Sequence, residues 1–196
     1  MNATVIRAAM FFAALSCAGG VFGAEPETEK GGKMSLADGR FELTVPDKWE
    51  KKRPKVNIIE HEYEAPASTG DARSSRLTVM GAGGSVEDNV QRWYGQFRQP
   101  DDSETANTAK VERKKVAGQN VTLVDVSGTY IDRPGGPFAG GAAVDRENYR
   151  MLAAIIETAH KGKRTGNYFI KLIGPRQTVA DNKQAFEKMI ESLKER

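Results

Sequence analysis

The sequence is poor in the residues from which most catalytic and metal sites are built. Its 196 residues include one cysteine, Cys17, and two histidines, His61 and His160. A single cysteine excludes an intramolecular disulfide and a zinc site with several thiolate ligands. The motifs H-x-H, H-E-x-x-H and G-x-S-x-G are also absent. The sequence therefore predicts no catalytic residues, no metal and no cofactor.

The chain also lacks a strong excess or a block of one charge. It contains 29 Lys and Arg residues and 26 Asp and Glu residues, a formal net charge of +3, and the two signs are interspersed. A nucleic-acid-binding protein usually carries a basic stripe, and a protein that binds anionic lipid carries a polybasic patch. Neither is visible, so no nucleic-acid partner is predicted.

The amino terminus has the pattern of a secretory signal peptide. Arg7 precedes the apolar run 8–15, and Val21 and Gly23 are small enough for cleavage before Ala24. The apolar run is shorter than the roughly 20 residues that cross a bilayer. The sequence thus predicts a signal peptide over residues 1–24, export to the periplasm or the extracellular space, and no membrane span after cleavage.

A lipid anchor at Cys17 is the alternative fate of this leader. Lipoprotein signals prefer a leucine three residues before the modified cysteine. Here Ala14 occupies that position and Leu15 lies two residues before Cys17. The match to a lipoprotein signal is therefore imperfect, and a soluble mature protein is the expectation.

The rest of the chain predicts a disordered leader over residues 25–33 and one domain over residues 34–196. Alternating apolar residues predict strands at 40–45, 56–65, 76–80, 110–116, 120–130, 149–158 and 167–173. Two amphipathic helices are expected, one capped by Ser85 and one by Thr178. Because 149–158 is apolar on both faces, we expect an α+β fold: a mostly antiparallel sheet with helices on both faces, as a three-layer α/β/α sandwich.

Three segments carry a resemblance to a known family. They are the strand that runs into Pro46 and Trp49, the helix that follows Ser85, and the carboxyl-terminal segments 168–175 and 186–193. Together they resemble the PsbP/Mog-like family, as an exported bacterial member of it. The resemblance implies the three-layer fold, no shared catalytic residues and a role in binding or assembly. Fold alone does not define function, so the specific role stays open.

The most suggestive segment is the Gly- and Pro-rich stretch 131–148. It is long for a loop between adjacent strands, and such loops are often functional. It contains Arg133, Phe138, Asp145 and Arg146. We predict that it forms part of a partner-binding surface, with Phe138 as an apolar anchor and Arg133 as a polar contact.

These observations lead to one functional prediction and one alternative. The prediction is a non-catalytic exported protein that binds another envelope protein or a small ligand. The alternative is a carboxylate-dependent, hydrolase-like enzyme of the cell envelope that uses residues such as Asp125 or Asp145. Asp125 is of interest because it lies among apolar residues, where burial would perturb its pKa.

Overall fold

The computed structural model describes residues 29–134 and 142–196. Within them, 54% of the residues are in strands and 17% in helices. The strands are β1 Lys30–Leu36, β2 Phe41–Lys52, β3 His61–Ala65, β4 Ser75–Ala82, β5 Phe97–Arg98, β6 Lys110–Val116, β7 Gln119–Asp132, β8 Val144–His160, β9 Lys163–Pro175 and β10 Lys194–Glu195. The helices are α1 Val86–Tyr94, α2 Thr105–Thr108, α3 Arg176–Asp181 and α4 Lys183–Glu191.

All the strands of this part of the chain belong to one sheet, in the order β1-β2-β3-β4-β9-β8-β7-β5. β6 pairs with β7 beside β5, and β10 pairs with β2. Every pair is antiparallel. The long strands β7, β8 and β9 follow one another through hairpins and form the centre of the sheet. The mostly antiparallel sheet expected from the sequence is confirmed.

Two apolar clusters form because side chains of the central strands alternate between the faces. In β8 the alternate residues Ala153 and Ile155 belong to one cluster, and Ala154 and Ile156 to the other. The first cluster includes Val90 and Trp93 of α1. The second includes Phe186, Met189 and Ile190 of α4. The double apolar character of 149–158 therefore reflects burial on both sides of β8.

The three-layer α/β/α sandwich expected from the sequence is wrong. The helices contain only four to nine residues each and cover parts of the sheet without forming helical layers. On the side of α1, β3 carries Glu62 and Glu64, and only the end of β4, at Met80 and Ala82, packs against the cluster that contains Trp93. The apolar stripe that predicted one long final helix is divided at Asn182 into α3 and α4. An apolar pattern shows that a surface is covered, but it does not give the length of the element that covers it.

Several element boundaries also differ from expectation. β1 begins at Lys30, inside the stretch 25–33 expected to be disordered. β2 continues through Pro46, which was expected to end it. Pro46 is tolerated there because the β1–β2 register shifts between Lys30 and Gly32, and a residue without an N–H fits such an irregularity. Residues 56–59 precede β3 instead of forming its first half.

The two expected helix caps have different outcomes. The hydroxyl oxygen of Ser85 accepts a hydrogen bond from the backbone N of Asp88 at 3.0 Å, so the cap of α1 is confirmed. Thr178 lies inside α3 and does not cap it. Its backbone N and its Oγ1 both donate to Asp71 Oδ2, at 2.9 and 2.6 Å. Among the described residues, no helix has the length and apolarity that crossing a membrane requires.

Candidate functional site

The segment predicted to be a partner-binding loop is largely strand at both of its ends. β7 extends to Asp132 and β8 begins at Val144, so the two strands continue their pairing into the stretch 131–148. Phe138 lies outside the described residues. Arg133 follows β7 directly and is exposed. The described ends of the expected long loop are thus paired strand ends of the β7–β8 hairpin.

The other two predicted residues of this segment are engaged in ion pairs. Arg146 donates to Asp132 Oδ2 from both Nε and Nη2, each at 3.2 Å. Asp145 accepts a hydrogen bond from Arg98. The structure therefore brings Asp145 and Arg146 to the same strand end, but each charge already has a partner. Their role in binding a partner stays a prediction.

Beside this hairpin end lies a cleft of about 620 Å³, which we call the tyrosine cleft. Strands β3, β4, β7, β8 and β9 and the β3–β4 connection supply its walls. The residues that line it are Glu64, Ala67, Ala72, Arg73, Ser74, Arg76, Tyr130, Asp132, Tyr149, Ile173 and Gly174. It faces the side of the sheet on which α1 lies, because Tyr130, Tyr149 and Ile173 pack against the cluster that contains Trp93.

Two tyrosine rings form the aromatic part of the wall of the tyrosine cleft. The rings of Tyr130 and Tyr149 are stacked, with centroids 6.2 Å apart and planes 9° apart. Phe97 packs on the far side of Tyr130 at 5.4 Å and 45°. Burial, and then the charge of Asp132, raise the pKa of Tyr130. The Tyr130 hydroxyl is therefore protonated at neutral pH and can donate a hydrogen bond, but it is not a nucleophile.

Two arginines give the tyrosine cleft its positive groups. Arg76 is fixed by a two-bond fork, from Nε to Glu62 Oε1 and from Nη2 to Glu62 Oε2, both at 2.8 Å. This hydrogen bonding raises the pKa of Arg76 further. Arg73 is exposed and has no ion-pair partner within residues 29–134 and 142–196. Arg73 is thus the cation of the cleft that is available to a ligand.

Glu64, one of the two carboxylates that line the tyrosine cleft, is held in its ionised form. Glu64 accepts a hydrogen bond from the Ser74 hydroxyl, and its other oxygen lies 3.0 Å from Lys52 Nζ. These two hydrogen bonds, from Ser74 first and then Lys52, lower the pKa of Glu64. A carboxyl group with a lowered pKa is a poor general acid at neutral pH. The cleft therefore presents fixed charges and aromatic surface instead of a proton donor.

Gly174 allows β4 and β9 to approach closely at the floor of the tyrosine cleft. A Cβ at position 174 would lie 2.7 Å from Ser75 Oγ and 2.8 Å from Ser75 Cα. Both distances are shorter than real carbon contacts. The glycine therefore sets the spacing that places Arg76 next to Ile173 in the register.

Asp125, named in the enzyme alternative, lies in a different environment. It accepts hydrogen bonds from Arg150 Nε at 2.8 Å and Nη2 at 2.6 Å, and Lys183 Nζ lies 3.6 Å away. Burial opposes ionisation of Asp125, but the hydrogen bond and charge of Arg150, and then Lys183, outweigh it and lower its pKa. Asp125 is thus an ionised member of a structural ion pair.

The two carboxylates of that alternative are not brought together. Asp125 is opposite Leu152 in the β7–β8 register, whereas Asp145 is opposite Ile131. The six residue steps of β7 from 125 to 131 span about 20 Å at the usual strand rise. These two side chains cannot act on the same bond as acid and base.

The histidines take part in local hydrogen bonds. His61 Nε2 lies 2.8 Å from the carbonyl oxygen of Ser35, and His160 Nδ1 lies 3.2 Å from Glu195 Oε1. Within residues 29–134 and 142–196, no group of three or more His, Cys, Asp or Glu side chains is placed to hold a metal ion.

Sequence reasoning missed the residues that make the tyrosine cleft. Tyr130, Tyr149 and Arg76 were placed only at the ends of predicted strands. The available signal was weak: two tyrosines at the ends of two strands that flank a Gly- and Pro-rich stretch. Their stacking depends on the β7–β8 register, which no local pattern gives.

No protein-family model and no curated protein matches the sequence. Three solved structures are similar in shape. Cyanobacterial PsbP from Synechocystis sp. PCC 6803 has a TM-score of 0.48 and 15% identity, with 93% of this chain and 99% of that chain covered. LpqN of Mycobacterium tuberculosis, described as involved in cell envelope biogenesis, has a TM-score of 0.47 and 10% identity, covering 84% and 90%. A Bacteroides thetaiotaomicron protein has 0.42 and 10%, covering 85% and 49%.

Two of these likenesses are to a PsbP protein and to a protein described as involved in envelope biogenesis. At identities of 10–15% and TM-scores below 0.5 they carry no argument about function. Membership of the PsbP/Mog-like family therefore stays a prediction.

Proposed function

We propose that this chain is a non-catalytic exported protein whose tyrosine cleft binds an acidic segment of another envelope protein. The stacked Tyr130 and Tyr149 beside Arg73 and Arg76 are the observation that carries the proposal. Tyrosine and arginine are enriched among the residues that dominate the energy of protein interfaces. Aromatic rings offer a large rigid contact area, and arginine binds carboxylates through two parallel hydrogen bonds.

The charge of the cleft favours an acidic segment. Arg76 and Glu62 form an internally paired unit, Glu64 is matched by Lys52, and Asp132 is matched by Arg146. Arg73 then remains as an exposed cation without an ion-pair partner in the described part of the chain. A carboxylate of the partner would complete that pair, and the Tyr130 hydroxyl would supply a neutral donor next to it.

The shape of the surface favours a stretch of polypeptide over a small ligand. A second cleft, of about 440 Å³, shares Ala72, Arg73 and Tyr149 with the tyrosine cleft. It continues along the hairpin past Asp145 and Arg146, and it is also lined by Asp71 and Glu147, so the acidic side chains of the segment would lie at the Arg73 end. The two clefts together form a groove that is longer than a compact ligand needs, and an extended segment would follow it.

Site-specific crosslinking in the source cells tests the proposal. A photoreactive amino acid at position 72, in the shared part of the groove, is expected to crosslink an envelope protein through a segment rich in Asp and Glu. The matched control places it at Lys115, an exposed residue of β6 outside the groove. Adding Arg73→Gln and Tyr149→Ala should reduce the crosslink at position 72 at least about 30-fold, since two such residues each contribute about 1 kcal/mol or more.

Three results would refute the proposal: no crosslink at position 72, equal crosslinking at both positions, or a crosslink that survives both substitutions. Export is tested separately by mass spectrometry of the mature protein. A mature amino terminus near Ala24 is expected. An intact leader would contradict export, and a lipid on Cys17 would replace the soluble form by an anchored one.

A further inference from the structure

The strongest site not used by the proposed function is a cleft of about 370 Å³ on the opposite side of the sheet, which we call the basic cleft. Arg150 lies between Tyr149 and Met151 in β8, so its side chain points away from the tyrosine cleft. The basic cleft is lined by polar side chains that include Lys110, Asp125, Ser127, Arg150 and Arg176.

Positive charge exceeds negative charge around the basic cleft. Asp125 forms the two-bond fork with Arg150, lies 3.6 Å from Lys183, and is directly opposite Lys110 in the β6–β7 register. Lys183 also pairs with Glu187 at 3.0 Å. With Arg176 at the rim, four cationic side chains surround two carboxylates, which leaves a local excess of two positive charges.

The cations that remain are available to a ligand. The fork uses Nε and Nη2 of Arg150, so its Nη1 keeps two N–H donors that make no hydrogen bond to the described residues. Lys110 and Arg176 have no ion-pair partner within 29–134 and 142–196. Because Asp125 holds the guanidinium of Arg150 in place, little side-chain freedom is lost when Arg150 binds an anion.

The far wall of the basic cleft depends on a glycine. A Cβ at position 128 would lie 2.6 Å from the carbonyl oxygen of Arg98 and 3.0 Å from Gln99 Nε2. Gly128 lets the segment 97–100 close against β7, where Gln99 Nε2 donates to the Ser127 carbonyl at 3.0 Å. The cleft is thus a hydrogen-bonded concavity and not a gap between mobile side chains.

We propose that the basic cleft binds a small anion that carries phosphate or carboxylate groups. A concave site lined by one sign of charge concentrates counter-ions, and arginine and lysine are the usual partners of both groups. In the complex, Arg150 Nη1, Lys110 and Arg176 contact the anion and the Ser127 hydroxyl donates to it. Asp125 positions Arg150 and does not touch the anion.

Isothermal titration of the full chain at low ionic strength tests this inference. Orthophosphate, pyrophosphate and citrate are the probes, with sodium chloride of equal ionic strength as the reference. Saturable binding of at least one probe is expected, and the comparison of pyrophosphate with citrate identifies the preferred group. Lys110→Gln and Arg176→Gln should each raise the Kd about tenfold. The control Lys115→Gln, on the same strand but outside this cleft, should change it less than about twofold.

Asp125→Asn gives a second, opposite readout. Removing this carboxylate deletes one negative charge beside the anion, and we expect this electrostatic gain to outweigh the side-chain freedom that Arg150 regains, so anion affinity should rise at least about threefold. If the Asp125–Arg150 pair is only structural, anion affinity should not rise in this variant. Circular dichroism checks that the variant is folded; if it is not, the Lys110 and Arg176 variants decide alone. Absence of saturable binding by all three probes up to about 10 mM, or binding unchanged in the Lys110→Gln/Arg176→Gln double variant, would overturn the inference.

Discussion

Lys171 is expected to destabilise the folded protein at neutral pH, because its ammonium is placed in a partly buried site without a carboxylate. Its Nζ lies 5.9 Å from the centroid of the Trp93 ring and donates to Gln96 Oε1 at 2.8 Å. No ion pair to Lys171 occurs within residues 29–134 and 142–196. Burial, followed by the charges of Arg92 and Arg76, lowers the pKa of Lys171 from 10.5 to about 8.

The size of the effect follows from the difference between the folded and unfolded pKa. At about 1.4 kcal/mol for each pH unit between the two values, keeping Lys171 charged in the folded state costs about 3 kcal/mol. The hydrogen bond to Gln96 and the contact with the Trp93 ring offset about 1–2 kcal/mol of this. Replacing Lys171 by methionine, which has a similar length and no charge, should raise the free energy of unfolding by about 1–2 kcal/mol at pH 7.

The stability gained by Lys171→Met should decrease as the pH rises. Between pH 8 and 10.5 the unfolded chain keeps the Lys171 proton and the folded chain has lost it, so wild-type stability rises with pH relative to the variant. The advantage of Lys171→Met is therefore full below pH 8 and disappears by about pH 10.5. Tyrosines with raised pKa values, such as Tyr130, also titrate in this range, but they do so in both proteins and cancel in the difference.

Urea unfolding followed by circular dichroism at pH 7, 8.5 and 10 measures this difference. Lys188→Met, at an exposed position of α4, is the matched control and should give a small difference that does not vary with pH. A Lys171→Met variant that is less stable than wild type at pH 7, or a gain that stays constant from pH 7 to 10, would refute the reasoning.

Two further substitutions test the local contacts described above. Ser85→Ala removes the acceptor for the Asp88 N–H and should lower the free energy of unfolding by about 1 kcal/mol. Ser85→Asp keeps an acceptor at this position and should retain most of the wild-type stability. Equal stability of all three proteins in urea unfolding would contradict the cap. Gly174→Ala forces a methyl group against Ser75 and should lower the free energy of unfolding by about 2–4 kcal/mol in the same assay. Gly162→Ala lies in a turn with open space and should lower it by about 1–2 kcal/mol, from the positive φ alone. A smaller loss of stability for Gly174→Ala than for Gly162→Ala would show that β4 and β9 can separate.

The position of each side chain within its own strand or helix could be predicted from the sequence, because it depends on neighbours in the chain. β6 was predicted with the bounds Lys110–Val116 that the structure shows, since the short turn after Val116 returns the chain directly into β7. Ser85 was recognised as a cap because the acceptor and the N–H that it satisfies are three residues apart. Local patterns could not show that the final helical stripe divides at Asn182.

The candidate sites could not be predicted in this way, because their residues are distant in sequence. Tyr130 stacks on Tyr149 across the β7–β8 hairpin, where the register shifts between Gly128 and Tyr130. A change of one residue in register would place one ring on the other face of the sheet. The alternation of apolar and polar residues along a strand predicts which face of the sheet a side chain is on. It does not predict which strand lies alongside or which residue is opposite.

The sequence by itself thus determined the antiparallel strands, the cap of the first helix and the shortage of cysteine and histidine, because these follow from composition and short-range spacing. Only the tertiary structure decided that Arg150 forms an ion pair with Asp125, that Lys171 has no carboxylate partner among the described residues, and that two tyrosines meet beside Arg76. The physical reason is that charge pairing and burial are properties of neighbours in space, and strand register sets those neighbours only when the whole sheet has assembled.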